Sequence, residues 1–176
     1  MSPSTNGKLD PQRCRVALDA NALDRNGGPR DALVERLLAL EESSKIQFLE
    51  PGTVYRQAQH PRTPLPVQEV IRSQIFTLPT GLTEAEENRR RHVLAVMRGN
   101  SVSDRHDADA AILFEAGKYA AGYLITEDKR ILRNRVELQE ILGPPLCITT
   151  LSEFLAIYDQ FDKEQRERER LLATLR

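Results

Sequence analysis

Apolar positions along this chain fall into two rhythms. Short runs that are apolar almost without interruption, Arg15-Val16-Ala17-Leu18, Ile46-Gln47-Phe48-Leu49, Tyr123-Leu124-Ile125 and Leu146 to Thr149, have the length and composition of strands buried on both faces. Between them, apolar residues recur at helical spacing. Leu33, Val34, Leu37, Leu38 and Leu40 predict a helix over 31–40, and Ile112, Leu113, Ala116, Tyr119 and Ala120 predict one that begins near Asp107 and stops at Gly122. Thr83-Glu84-Ala85-Glu86 and Thr150-Leu151-Ser152-Glu153 both have capping-box form, opening helices to about Arg98 and through Tyr158. A helix from Thr53 to about Gln59 is expected after Glu50-Pro51-Gly52, and His60 to Pro66 breaks it. Pro66 then opens another, with Val67, Val70, Ile71 and Ile75 on one face. Strands alternating with helices imply an α/β fold with a parallel sheet.

Composition narrows the setting. With 176 residues, 40% hydrophobic and 29% charged, the chain suits one domain with a sizeable core. Residues 1–13 lack periodicity and read as a tail, 14–158 as the domain, and 159–176 as a charged helical extension with Asp162/Arg166 and Glu164/Arg168 at pair spacing. A net charge of -1 excludes a uniformly basic nucleic-acid coat but allows a local basic patch. Cys14 and Cys147 form neither a metal-ligand spacing nor a disulfide framework and read as reduced packing residues. No stretch approaches the ~20 apolar residues of a membrane span, and the N-terminus lacks a secretion signal's apolar core, so the expected location is cytoplasmic.

The acids carry the candidate chemistry. Asp19 follows the first apolar run and Asp128 follows the run Tyr123 to Ile125. Asp109 lies at the start of the helix leading into that second run. In a parallel sheet, a helix antiparallel to the strands begins at the edge where the strands finish, so all three acids are expected at one edge. Carboxylates are hard oxygen ligands, and a cluster of them suits Mg2+ or Mn2+ better than zinc. Each acid alone has a local explanation as well: Asp19 as cap of the following turn, Asp107 as N-cap and Asp109 as dipole partner of the central helix, Asp128 as an Asx turn.

Leu18-Asp19-Ala20-Asn21, Asp109-Ala110-Ala111-Ile112-Leu113 and Thr126-Glu127-Asp128, in this order, resemble the opening LDxN, the DAxIL and the late TxD segments of PIN-domain ribonucleases, over roughly 15–158. The resemblance implies a PIN-like three-layer fold, with a central parallel sheet flanked by helices. It also implies a metal-dependent endoribonuclease that hydrolyses RNA phosphodiester bonds, with the VapC-like toxins of toxin–antitoxin pairs among its relatives. Asp19, Asp109 and Asp128 would hold metal and carry catalysis, Asn21 and Thr126 would orient them, and the partners would be RNA, an antitoxin protein and a second copy in a homodimer.

One position departs from that pattern. The family usually carries a Glu some six residues beyond a Pro after the second strand, and counting from Pro51 reaches the neutral Gln57, so Glu50 or Asp107 would have to supply the additional acid. Arg56, Arg62, Arg105, His106, Lys129 and Arg130 flank the acidic segments and are the candidates for RNA contact, with a solvated loop as the ordinary reading of His106. The neutral Gln57 motivates an alternative, a catalytically weakened PIN fold acting as an RNA- or protein-binding module. A phosphatase using Asp19 as nucleophile fits poorly, because Asn21 stands where a second acid would be needed.

Overall fold

A computed structural model describes residues 9–25, 27–53, 56, 65, 68, 75–76, 81–101 and 104–174. Among the described residues, five strands, β1 (Arg15–Leu18), β2 (Gln47–Glu50), β3 (Ile75–Phe76), β4 (Tyr123–Ile125) and β5 (Cys147–Thr149), form one sheet in the order β3-β2-β1-β4-β5. Every neighbouring pair is parallel. The helices described in full are α1 (Pro29–Glu42), α2 (Glu84–Arg98), α3 (Asp107–Lys118), α4 (Lys129–Arg133), α5 (Arg135–Leu142) and α6 (Leu151–Thr174). Short 3-10 turns span Ala20–Leu23 and Asp104–His106.

The strands are largely apolar at their buried positions because helices cover both faces. Register sets Val16 beside Phe48 and Tyr123, and Ala17 beside Leu49 and Leu124, so side chains of one parity share a face. Val16, Leu18, Phe48, Tyr123 and Ile125 pack against Val34 and Leu37 of α1 and Phe154 and Leu155 of α6. Ala17, Leu49, Leu124 and Ile148 pack against Val93 and Met97 of α2, Leu113 and Ala116 of α3, and Leu138 of α5. The result is a three-layer α/β fold with a central parallel sheet, the architecture expected from the sequence.

Local signals explain most boundaries. Both halves of the Thr83/Glu86 capping box form at α2, and Glu153 and Thr150 bond reciprocally at the start of α6. Gly122 is required by close approach, since a Cβ there would lie 2.5 Å from the Cys14 Sγ. Four expectations are corrected. Ile75 belongs to β3 rather than to a helix face, because pairing with β2 decides the state of a two-residue segment. Tyr119 and Ala120 lie beyond the end of α3, where Ala120 turns into the left-handed region with φ 54°. Residues between β4 and β5 form two helices, α4 and α5, that the apolar pattern did not suggest. The domain helix and the charged extension are one continuous α6.

Gly52, Thr53 and Arg56 are helical, as are Leu65 and Gln68. Gln57, Arg62, Val67, Val70 and Ile71 lie outside the described residues. Among the described residues, no helix is long and apolar enough to cross a membrane.

Candidate active site

The strand order reverses at β1: β2 and β3 lie to one side, β4 and β5 to the other. In open parallel sheets the crevice outside the carboxyl ends of the two strands at such a reversal is the usual ligand site. Asp19 follows β1 and Thr126 to Asp128 follow β4, so both acids stand at that crevice.

Asp19 is 5% exposed, in extended backbone with φ -84° and ψ 147°, and its side chain does not cap the turn that follows. Its Oδ2 instead accepts from the Thr126 hydroxyl at 2.7 Å, across the gap between the two strand ends. The same hydroxyl oxygen accepts from the Asp128 N–H at 3.0 Å, which links the acids through one side chain. A hydrogen bond offsets much of the cost of taking a polar group out of water, which is how a side chain so nearly buried is tolerated. A second tie comes from Asn21, whose Oδ1 accepts from the Glu127 N–H at 2.9 Å. Arg30 braces this loop by donating to the carbonyls of Asn21 at 2.6 Å and Ala22 at 3.1 Å.

Asp128 has a second, structural task. Its Oδ1 accepts from the N–H groups of Arg130 at 2.7 Å and Ile131 at 3.0 Å, so it is the N-cap of α4. Asp109 occupies the first turn of α3, with its Oδ2 at 3.7 Å from His106 Nδ1. His106 is the N-cap residue of that helix and is buried, which corrects its reading as a solvated loop side chain. Asp107 is therefore the first helical residue rather than the cap.

Three helix ends meet beside the crevice. Arg130, at the start of α4, donates to the carbonyls of Met97 and Arg98 at the end of α2, where a cation complements the helix dipole. Arg98 in turn clasps Asp107 through Nε at 2.8 Å and through Nη2 at 2.5 Å. The guanidinium hydrogen bonds hold the Asp107 carboxyl below the usual carboxylate range. Asp107 is thus committed to Arg98.

Glu50 differs from the other acids. Its side chain is fully buried, neither oxygen has a hydrogen-bond partner, and burial pushes its pKa up to about 8. It follows Phe48 and Leu49 in β2 and so takes Phe48's face of the sheet, under α1 and α6. Asp19, next after Leu18, takes the opposite face with Ala17, the face of α3 and α4. Strand alternation thus separates the two carboxylates. Among the described residues, no set of three or more His, Cys, Asp or Glu side chains is gathered to metal-ligand spacing.

The RNA-contact candidates are dispersed. Arg56 reaches the Thr53 hydroxyl at 2.9 Å and Glu115 at 3.8 Å, and Arg130 is engaged with α2. Lys129 is exposed at the start of α4, whereas Arg62 and the side chain of Arg105 lie outside the described residues. Glu115, which the sequence did not single out, accepts from both the N–H and the hydroxyl of Thr53 at 3.0 and 2.7 Å. It ties the segment after β2 to α3, over a separation that no local pattern announces.

Against family models, curated proteins and solved structures, the chain finds no match.

Proposed function

We propose that this protein is a metal-dependent endoribonuclease of the PIN type, with Asp19, Asp109 and Asp128 as its catalytic acids. The observation that carries the reading is the bonded chain from the Asp19 carboxylate through the Thr126 hydroxyl to the Asp128 N–H, set at the reversal point of a parallel sheet. A nearly buried acid bonded across two strand ends has no capping role to explain it. By donor type the three carboxylates suit Mg2+ or Mn2+. When bound, such an ion lowers the pKa of a water and stabilises charge on the leaving oxygen.

The chain's own residues supply the frame. Thr126 and Asn21 hold the loops after β1 and β4 in one register, and Asp128 keeps α4 anchored beside them. Lys129 supplies exposed positive charge for a phosphate of the RNA backbone, a contact that positions the strand without reading bases. In this reading the protein works in the cytoplasm, and a toxin role adds a protein antitoxin and a second copy of the chain as partners.

Purified protein incubated with RNA and Mn2+ tests the proposal. Cleavage is expected, with losses of about a hundredfold or more in Asp19→Asn, Asp109→Asn and Asp128→Asn; undiminished cleavage in these variants defeats it. A second reading, a binding module without hydrolysis, is favoured by the lack of a three-acid set at ligand spacing among the described residues. It predicts no Mn2+ uptake in calorimetric titration, and no difference between the parent and Asp19→Asn.

A further inference from the structure

We propose that the outer edge of β5 is a docking site for an extended, uncharged peptide segment of a partner protein, added as a sixth strand. This site is separate from the crevice between β1 and β4, and nothing in its argument depends on nuclease activity. Among the described residues, β5 is the last strand of the sheet. The Thr149 carbonyl accepts from the Thr126 N–H beside β4, and the Cys147 N–H donates to the Gly122 carbonyl, so the peptide groups of Ile148 between them face outward. Its N–H is already bonded, at 2.7 Å, to the side-chain carbonyl of Gln139 on α5. A carboxamide has the chemistry of a peptide group, and Gln139 occupies the place that a partner strand's carbonyl would take.

Two further features separate a docking site from a mere protective plug. A groove of about 420 Å³ runs beside the strand between α5 and α6, with Gln139, Thr149 and Gln160 among its walls. The Thr149 hydroxyl in that wall is buried and has no hydrogen-bond partner, although the residue is only 4% exposed. Shielding an edge requires neither an adjoining cavity nor an orphaned hydroxyl, whose burial costs free energy. Arg135 and Glu153, which also line the groove, neutralise one another at 3.1 Å, so the site selects no net charge. A strand bearing Ser, Thr or Asn opposite Thr149 satisfies the hydroxyl, while main-chain bonds to Ile148 supply affinity.

The test uses the whole 176-residue chain, labelled with nitrogen-15, titrated with capped hexapeptides that alternate Val with Thr. Shifts are expected at the Ile148 amide and the Gln139 side-chain amide. N-methylation of the central peptide bond should weaken binding about tenfold. Gln139→Ala should tighten it about fivefold by removing the internal competitor. Thr149→Val should weaken the Val/Thr peptide but leave an all-Val peptide unchanged. Absence of shifts at millimolar peptide, or shifts indifferent to N-methylation, overturns the proposal. So does concentration-dependent self-association that broadens Ile148 without peptide, because the edge then belongs to a second copy.

Discussion

Asp19 and Glu50 end neighbouring parallel strands, both are carboxylic acids, and both are almost wholly removed from water, yet the fold treats them in opposite ways. Asp19 accepts a hydroxyl hydrogen bond from across the sheet. Glu50 has no partner for either oxygen and is driven toward its neutral form. A buried carboxylate can be kept charged by donors or kept neutral by its proton, and each solution suits different chemistry. The hydrogen-bonded acid is the one placed at the reversal of the strand order. The acid driven toward its neutral form takes the other face of the sheet, the one that α1 and α6 cover.

The largest expected effect follows from Glu50. With a folded-state pKa of about 8 against 4.5 for the ordinary value, the native state holds a proton that the unfolded chain has shed at neutral pH. Stability therefore falls as pH rises from about 4.5 to about 8 and is level above that. Glu50→Gln removes this dependence. It should stabilise the protein by roughly 3 kcal/mol at pH 7, at 1.36 kcal/mol per unit, and by little near pH 4.5. Urea unfolding at pH 5, 7 and 9 measures it; a parent whose stability rises with pH over this window would show that Glu50 is charged and paired.

Thr126→Val brings Asp19 nearer to the condition of Glu50. The isosteric change removes the donor to Oδ2 and the acceptor for the Asp128 N–H together, at a cost of about 2 kcal/mol. Denaturant midpoints at pH 7 should show the loss, and the variant should lose more stability than Thr149→Val, whose hydroxyl has no partner to forfeit. Equal losses in the two would mean that the Thr126 hydroxyl contributes nothing.

Much of this contrast is hidden in the sequence for a physical reason. Strands β1, β2, β4 and β5 could be recognised because burial on both faces makes them continuous apolar runs, and the turn at Asp19 and the acid at Asp128 mark where two of them stop. The capping boxes at Thr83 and Thr150 announce their helices because both partners lie within three residues. β3 could not be recognised, since two residues carry no period and only pairing with β2 makes them a strand. Nor could the partners that decide each acid's role. Arg98 claims Asp107, Thr126 claims Asp19 from 107 residues away, and Glu115 claims Thr53 from 62 residues away. Spacing along the chain records periodic burial, whereas these pairings arise from the way the sheet edge brings loops together.

The smallest effect separates the two tasks that meet in Asp128. As N-cap of α4 it accepts from two backbone N–H groups, a role that Asn fills nearly as well and Ala does not. Asp128→Ala should cost about 1 kcal/mol, and Asp128→Asn only a few tenths, in denaturant unfolding. If capping were all that Asp128 did, activity would follow stability, and the Asn variant would cleave RNA as the parent does. The nuclease reading requires the two measurements to part, because Asn keeps the acceptor oxygen for α4 but removes the negative charge that a divalent cation needs. An Asn variant that is as stable as the parent yet inactive therefore assigns the charge, rather than the cap, to the chemistry.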